Sequence, residues 1–417
     1  MLPGAGRPGI GELPRTGFRA YFRTPALGGA GEQARADQLA LAVVRAAPGG
    51  ERRADEAADR DLGGGGHGAQ IPARATPGRG CHPASSSVVS RTVSGMPSGT
   101  VVITDCDHGT VEPERRLVEA AGARLRLEAC ATASDVVAAA GDADVLVVQY
   151  APVDAGVLDR LPRCRAVVRY GVGVDTIDVE AATARGIWVV NVPGYAVEEV
   201  ADHALALTLA LLRGVALLDR AVRDGGWDHR AAPGVRRLST LTLGVAGYGR
   251  IGRTLAEKAA GAGLRVLAHD PRPGAVTAPA EPVELDALLA GSDAVSLHLP
   301  LTTATAHVIG ADALASMRPG AYLVNTARGG LVDSRALLAA LDGGRLAGAA
   351  LDVFETEPPH GLELELARHP RVIATPHAAW WSHEAADELK TTVAREALRV
   401  LAGERPLAPV NEPASTS

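Results

Sequence analysis

The sequence predicts an α/β protein of two doubly wound parallel-sheet domains. Three observations carry that prediction. Short apolar runs alternate with helix-forming stretches; the alternation restarts after one long helix; and the composition, 47% hydrophobic and 22% charged, suits a globular chain. At 417 residues there is length for two domains and a sizeable core. Strands that read as continuous apolar runs belong to parallel sheets covered on both faces.

The pattern begins at Thr100. The first series of expected strands is TVVITDC (100–106), RLRLEA (124–129), ADVLVVQY (143–150), RAVVRYG (165–171) and IWVVNV (187–192). Helical stretches such as Glu114–Ala121 separate them, and a flavodoxin-like unit is expected. A long helix over 196–213 follows. The second series is LTLGVAG (241–247), LRVLAHD (264–270), DAVSLHLP (293–300), AYLVNTA (321–327), GAALDVF (348–354) and RVIATPH (371–377). A last helix, 384–401, is expected to pack back on the first unit.

The first 95 residues break the pattern. More than half are Gly, Ala, Arg or Pro, and DLGGGGHGAQIPARATPGRG has no apolar periodicity, so it buries too little to offset its ordering entropy. Residues 1–95 are expected to be a disordered or non-native extension, with Met96 a candidate start. Acidic residues from Glu51 to Asp61 argue against a transit peptide. A net charge of -6 and pI near 6.1 give no basic field for nucleic acid. No apolar stretch is long enough to span a membrane. Cys81, Cys106, Cys130 and Cys164 have neither metal-ligand nor disulfide spacing. They read as reduced thiols of a cytoplasmic protein, and no metal is expected.

The segment LGVAGYGRIGRTLAEKAAGAGLRVLAHD holds every part of a dinucleotide fingerprint in order. A strand enters Gly247-Tyr248-Gly249-Arg250-Ile251-Gly252, a helix runs Arg250–Ala262, and a second strand ends at Asp270. Gly247 permits the tight turn, Gly249 admits the pyrophosphate, and Gly252 lets helix and strand pack. The diphosphate would sit on the helix N-terminus. Asp270, 23 residues after Gly247, would accept the ribose hydroxyls and repel a 2′-phosphate, which favours NAD over NADP. GAGRPG at residues 4–9 matches the same letters but has no strand before it and carries Pro8 inside. The second unit is therefore expected to be a Rossmann NAD-binding domain over 197–378. The first is expected to be a substrate domain over 96–196 plus 379–412.

LVNTARGGLVD (323–333), AALDVFETEP (349–358) and TPHAAW (375–380) each place a polar group at a strand's carboxyl end, where open α/β sheets bind ligands. Arg328, Glu357 and His377 thus converge on the nicotinamide end of the cofactor. A single histidine at a strand end is more often structural. Three such groups behind a dinucleotide fingerprint read as catalytic.

These motifs resemble the D-isomer-specific 2-hydroxyacid dehydrogenases from about Val101 to Asn411. RPGAYLVNTARGGLVD, GAALDVFETEP and PHAAWWS look most like the C-terminal-binding-protein branch. The resemblance implies a triad of Arg328, Glu357 and His377. His377 suits proton transfer because its ordinary pKa lies near working pH. Glu357 would hold the other imidazole N–H, and Arg328 would grip the substrate carboxylate and carbonyl. The family also implies carboxylate-binding amides at Val172 and Gly173, and Asp352 near the carboxamide. Its cofactor lining would fall on Ala246–Ile251, Leu299–Thr305 with Pro300, and Thr326–Ala327–Arg328. The branch has small hydroxylated residues where this chain has Val172 and Val200. The expected partner is a small 2-keto or 2-hydroxy acid, and a homodimer through the 196–213 helix is expected from the family.

Tyr150 and Trp380 are candidate walls of the substrate pocket, while Trp381 is expected to pack between the units. The alternatives are an NAD(H)-sensing corepressor-like binding protein and a phosphoglycerate dehydrogenase-type enzyme. The chain ends soon after Val410, without the long regulatory extension of some phosphoglycerate dehydrogenases.

Overall fold

The computed structural model describes residues 98–413. The expectations for residues 1–95, and Cys81 with them, lie outside the described residues.

The first sheet holds β1 (Thr100–Ile103), β2 (Arg124–Leu127), β3 (Val145–Val148), β4 (Ala166–Arg169) and β5 (Trp188–Val190). All pair in parallel in the order β2-β1-β3-β4-β5, the flavodoxin-like arrangement. The crossovers are α1 (Glu112–Ala120), α2 (Ala133–Ala140), α3 (Ala155–Leu158) and α4 (Val179–Ala184). Strand alternation divides the apolar runs between two cores. Val101, Ile103, Val145 and Val147 enter one, and Val102, Leu146, Val148 and Val167 the other.

Helix α5 (Val197–Leu212) fills the expected 196–213 helix, with Ala196 and Arg213 as its caps. Gly214, at φ +64°, then turns the chain into α6 (Val215–Arg223), an unexpected helix with no buried residue.

The second sheet contains β6 (Thr242–Ala246), β7 (Arg265–His269), β8 (Glu281–Pro282), β9 (Ala294–Leu297), β10 (Ala321–Asn325), β11 (Leu346–Leu351) and β12 (Val372–Ala374). Its order is β12-β11-β10-β9-β6-β7-β8, all parallel. The helices are α7 (Arg250–Gly261), α8 (Leu285–Gly291), α9 (Ala311–Ser316), α10 (Ser334–Asp342), α11 (Leu362–Arg368) and α12 (His383–Leu401). The direction of winding switches between β6 and β9, which opens a crevice at the strands' carboxyl ends. Helix α12 packs on α1, β3 and β4 of the first sheet.

The observed strands are shorter than the apolar runs that announced them. Asp105, Tyr150, Arg328 and His377 therefore fall in loops beyond the carboxyl ends, where side chains can face a ligand. The chain past α12 returns to the first sheet: Pro409 bridges Val190 antiparallel, and Asn411 Oδ1 accepts the Val189 N–H at 2.7 Å.

Candidate active site

The turn after β6 is built on backbone that side chains would obstruct. Gly247 has φ +96°, and a Cβ there would lie 2.4 Å from the His298 carbonyl oxygen. At Gly252 a Cβ would fall 2.0 Å from the Gly247 oxygen, so α7 seats on the turn only through a glycine. A Cβ at Gly249 would meet no protein atom. Ala246 is fully buried. Tyr248 is buried too, and its hydroxyl donates to the Thr277 carbonyl at 2.9 Å. The Arg250 guanidinium donates to the Pro193 carbonyl at 3.2 Å, and Thr305 Oγ1 donates to the Pro300 carbonyl at 2.7 Å.

Asp270 ends the second strand of the fingerprint as expected, but it is already engaged. Arg272 donates to both carboxylate oxygens, each at 2.9 Å, and the Tyr248 N–H donates at 3.0 Å. The Arg272 hydrogen bonds, and then the backbone ones, hold this carboxyl well below the usual carboxylate range against the opposing effect of burial.

A cavity of about 400 Å³ lies where the carboxyl edges of the two sheets face each other. Of the residues singled out in the sequence, Val172, Gly173, Ile251, Leu299, Pro300, Thr326, Ala327, Arg328, Asp352, His377 and Trp380 line it. Tyr150 does not, contrary to expectation. It is 52% exposed, on a turn whose N–H groups at Gln149, Tyr150 and Ala151 all donate to the Asp105 carboxylate. Trp381 also departs from expectation: it is 52% exposed, stacked edge-on against Trp380 with centroids 5.6 Å apart. The helix that follows buries Ala385, Ala386 and Leu389 instead.

His377 Nδ1 lies 2.6 Å from Glu357 Oε2, and the other oxygen of Glu357 accepts the Phe354 N–H at 3.0 Å. Burial works to raise the Glu357 carboxyl. The His377 hydrogen bond and charge outweigh it, helped by Phe354 N–H and Arg328, and hold the group below its ordinary value. The His377 backbone is left-handed, at φ +52°, which is uncommon without glycine. Asp352 anchors it. Its carbonyl accepts the His377 N–H at 2.8 Å, and its buried carboxylate takes the Ala378 and Ala379 N–H groups at 2.8 and 2.9 Å. The Thr375 hydroxyl donates to the same carboxylate at 2.5 Å.

Arg328 reaches across to the first sheet's RYGVGVD turn. Its Nε donates to Asp175 Oδ2 at 3.0 Å, and a Cβ at Gly173 would fall 1.8 Å from its Nη2, so the guanidinium takes the space a side chain there would fill. Asp175, which closes this turn, was not singled out in the sequence; its partner lies 153 residues away. Arg169 also lines the cavity. Burial lowers its guanidinium pKa, and like-charge repulsion from Arg328 adds to this. His298, another lining residue, accepts or donates one hydrogen bond with Ser296 at 2.9 Å, and burial pulls it down to about 4. Trp380 meets His108 edge to face, with centroids 4.7 Å apart, and Tyr195 at a tilt of 55°, with centroids 6.1 Å apart.

Comparison with known proteins gives a consistent set. The model of the D-isomer specific 2-hydroxyacid dehydrogenase NAD binding domain matches residues 205–379. Over 274 residues, 64% of this chain, the sequence is 44% identical to a D-3-phosphoglycerate dehydrogenase of Mycobacterium tuberculosis, of which 51% is covered. The chain thus spans about half the length of such curated relatives. A glyoxylate reductase of Thermococcus litoralis is 40% identical over 275 residues, covering 64% of this chain and 82% of that protein. Among solved structures, D-lactate dehydrogenase from Aquifex aeolicus, complexed with NAD and lactic acid, superposes with a TM-score of 0.69. It is 29% identical, with 75% of this chain and all of that one covered.

Proposed function

The chain belongs to the D-isomer specific 2-hydroxyacid dehydrogenase family, and from that premise we propose that it reversibly reduces a small 2-keto acid with NADH. The observation that carries this reading is one cavity lined by both Arg328 and His377, at the carboxyl edge of the second sheet, with Glu357 2.6 Å from the His377 ring. Residues 197–378 form the nucleotide-binding unit, and 96–196 with 379–412 the substrate unit.

The residues present fit the cofactor. Packing against protein explains Gly247 and Gly252, but a side chain at Gly249 would meet nothing of the protein; close approach of a diphosphate gives that glycine its reason. Gly247–Ile251 would hold the diphosphate and Asp270 the ribose hydroxyls. Leu299, Pro300, Thr305, Thr326, Ala327 and Asp352 would line the nicotinamide side. Bound NADH supplies the hydride. The carbonyl oxygen gains its proton from Nε2 of the His377 imidazolium, while Glu357 accepts the Nδ1–H and holds the ring in place; the transfer leaves the neutral ring protonated on Nδ1. Arg328, with Nε held by Asp175 and one Nη1 N–H donated to the Ala327 carbonyl, presents its remaining N–H groups to the substrate carboxylate and the charge developing on oxygen. The amides of Val172 and Gly173 hold the same carboxylate. Arg169 adds a second positive charge to the cavity, which favours anionic acids over neutral carbonyl compounds.

Initial rates with NADH and NADPH on glyoxylate, pyruvate, 2-oxobutyrate, hydroxypyruvate and phosphohydroxypyruvate test the proposal. At least one acid should be turned over, with NADH preferred by about tenfold or more. NADPH as the better reductant would refute the role given to Asp270.

A further inference from the structure

Two residues among those described combine a side chain with a left-handed backbone: His377 at φ +52° and His307 at φ +50°. Each bonds a glutamate, and the two glutamates are Glu357 and Glu355, on one loop. The first pair belongs to the proposed chemistry. The second has no part in it. We propose that His307 and Glu355 form a separate positioning clasp. It locks the cofactor-side loop 299–309 to the turns that carry Arg328 and Glu357. This inference rests on the dehydrogenase reading for what is being positioned.

Glu355 is the knot. One oxygen, Oε2, lies 2.9 Å from His307 Nε2, and the other accepts the Ser334 N–H at 3.2 Å. Ser334 opens α10 directly after the Arg328 turn. Glu355 thus joins the loop after β9, the turn after β10 and the loop after β11. The backbones are in contact as well: a Cβ at Gly329 would lie 1.9 Å from the Phe354 carbonyl carbon and 2.4 Å from the Glu355 nitrogen. Loop 299–309 is stitched to the same turn by the His307 N–H on the Gly330 carbonyl at 2.8 Å and the Ile309 N–H on the Leu331 carbonyl at 3.0 Å.

Stability does not explain the pair. The His307 side chain is 50% exposed and that of Glu355 31%, and ion pairs so wet contribute little. Yet the chain accepts a left-handed conformation at His307 to make it. Strain held where the energetic return is small points to position. Glu355, with a smaller effect of Asp333, raises the His307 pKa above its ordinary value, while burial opposes. Those two carboxylates are the charged groups facing the ring, so His307 stays protonated in the clasp below its ordinary value of 6.5, and the clasp loosens as pH rises through the raised value.

The test uses the full chain and three variants: Glu355→Ala, Glu355→Gln, which still accepts from Ser334, and His307→Asn, which tolerates the left-handed backbone but does not titrate. Hydrogen–deuterium exchange without ligand reads the tie itself. Glu355→Ala should speed exchange in 299–309 and 329–334 by about tenfold, with Glu355→Gln recovering most of the protection. NADH titration by fluorescence reads the function. Kd should rise severalfold from about pH 6 to pH 9 in the unmodified chain and stay flat in His307→Asn. Unchanged exchange in Glu355→Ala overturns the clasp and leaves the dehydrogenase reading untouched. A Kd whose pH dependence survives in His307→Asn overturns the positioning role. Should Glu355→Ala not fold, Glu355→Gln and His307→Asn decide by the same readouts. An unmodified chain that binds no NADH overturns both the dehydrogenase reading and the role assigned here.

Discussion

His377 holds a left-handed backbone at φ +52°, a conformation that costs a non-glycine residue about 1–3 kcal/mol. The bonds from Asp352 and Thr375 offset that cost and aim the ring at the cavity. Glu357 completes the arrangement, and its lowered carboxyl pKa has a defined consequence. A carboxylate whose folded pKa is depressed stabilises the fold fully above its ordinary value of 4.5; the contribution fades as pH falls through the lower folded value. Glu357→Gln should therefore be less stable than the unmodified chain at pH 7, and the gap in urea midpoints should narrow toward about pH 3. A gap independent of pH would contradict the pairing. Asp175→Ala, which frees Arg328 Nε, should lower kcat/KM by about ten- to a hundredfold, with Asp175→Asn intermediate because an amide oxygen still accepts. Arg328 and His377 were legible in the sequence because each follows an apolar strand in a motif with its own chemistry. Asp175 was hidden because its function exists only across the cleft. Arg272 stood two residues from Asp270 in plain view, but only the folded turn lays it on the carboxylate.

The strands were legible for a physical reason. Strands covered on both faces are largely apolar, as Val145–Val148 is throughout; β2, Arg-Leu-Arg-Leu at the sheet edge, was legible by its alternation instead. Where burial is missing altogether, the signal vanishes: β8 is two exposed residues at the sheet edge, and α6 buries none of its own. The C-terminal return was invisible for another reason, since its work falls on one polar residue. Asn411 accepts from the Val189 N–H and donates to the Ile187 carbonyl at 2.9 Å and to Thr183 Oγ1 at 2.9 Å. Asn411→Ala strands a buried donor and acceptor at the edge of β5, at a cost of about 2–4 kcal/mol. Chemical denaturation would measure it; a loss under about 0.5 kcal/mol would show that the segment is dispensable.

At the scale of the molecule, two parallel sheets meet at their carboxyl edges, with the cavity of the proposed chemistry between them. Both sheets and the dinucleotide turn could be read from the chain. Most of the cleft wall could be read too, Trp380 included; Tyr150 and Trp381 could not be sorted from it, because the direction a loop side chain takes is set only in the fold. One surface is left over. Val215, Val222 and Trp227 are exposed on and after α6, with Trp227 at 91%, and large apolar side chains this exposed are candidates for cover by a partner. The homodimer expected for the family predicts light scattering at twice the chain mass, and Trp227→Glu should shift it toward the monomer. The central claim is that His377 moves a proton in a chain that binds NADH. Pre-steady-state NADH oxidation by His377→Ala, set beside its NADH Kd, tests that most directly. The rate should fall by about 10²–10⁴ with Kd within about threefold of the unmodified chain. A rate unchanged by the substitution would contradict the role given to His377.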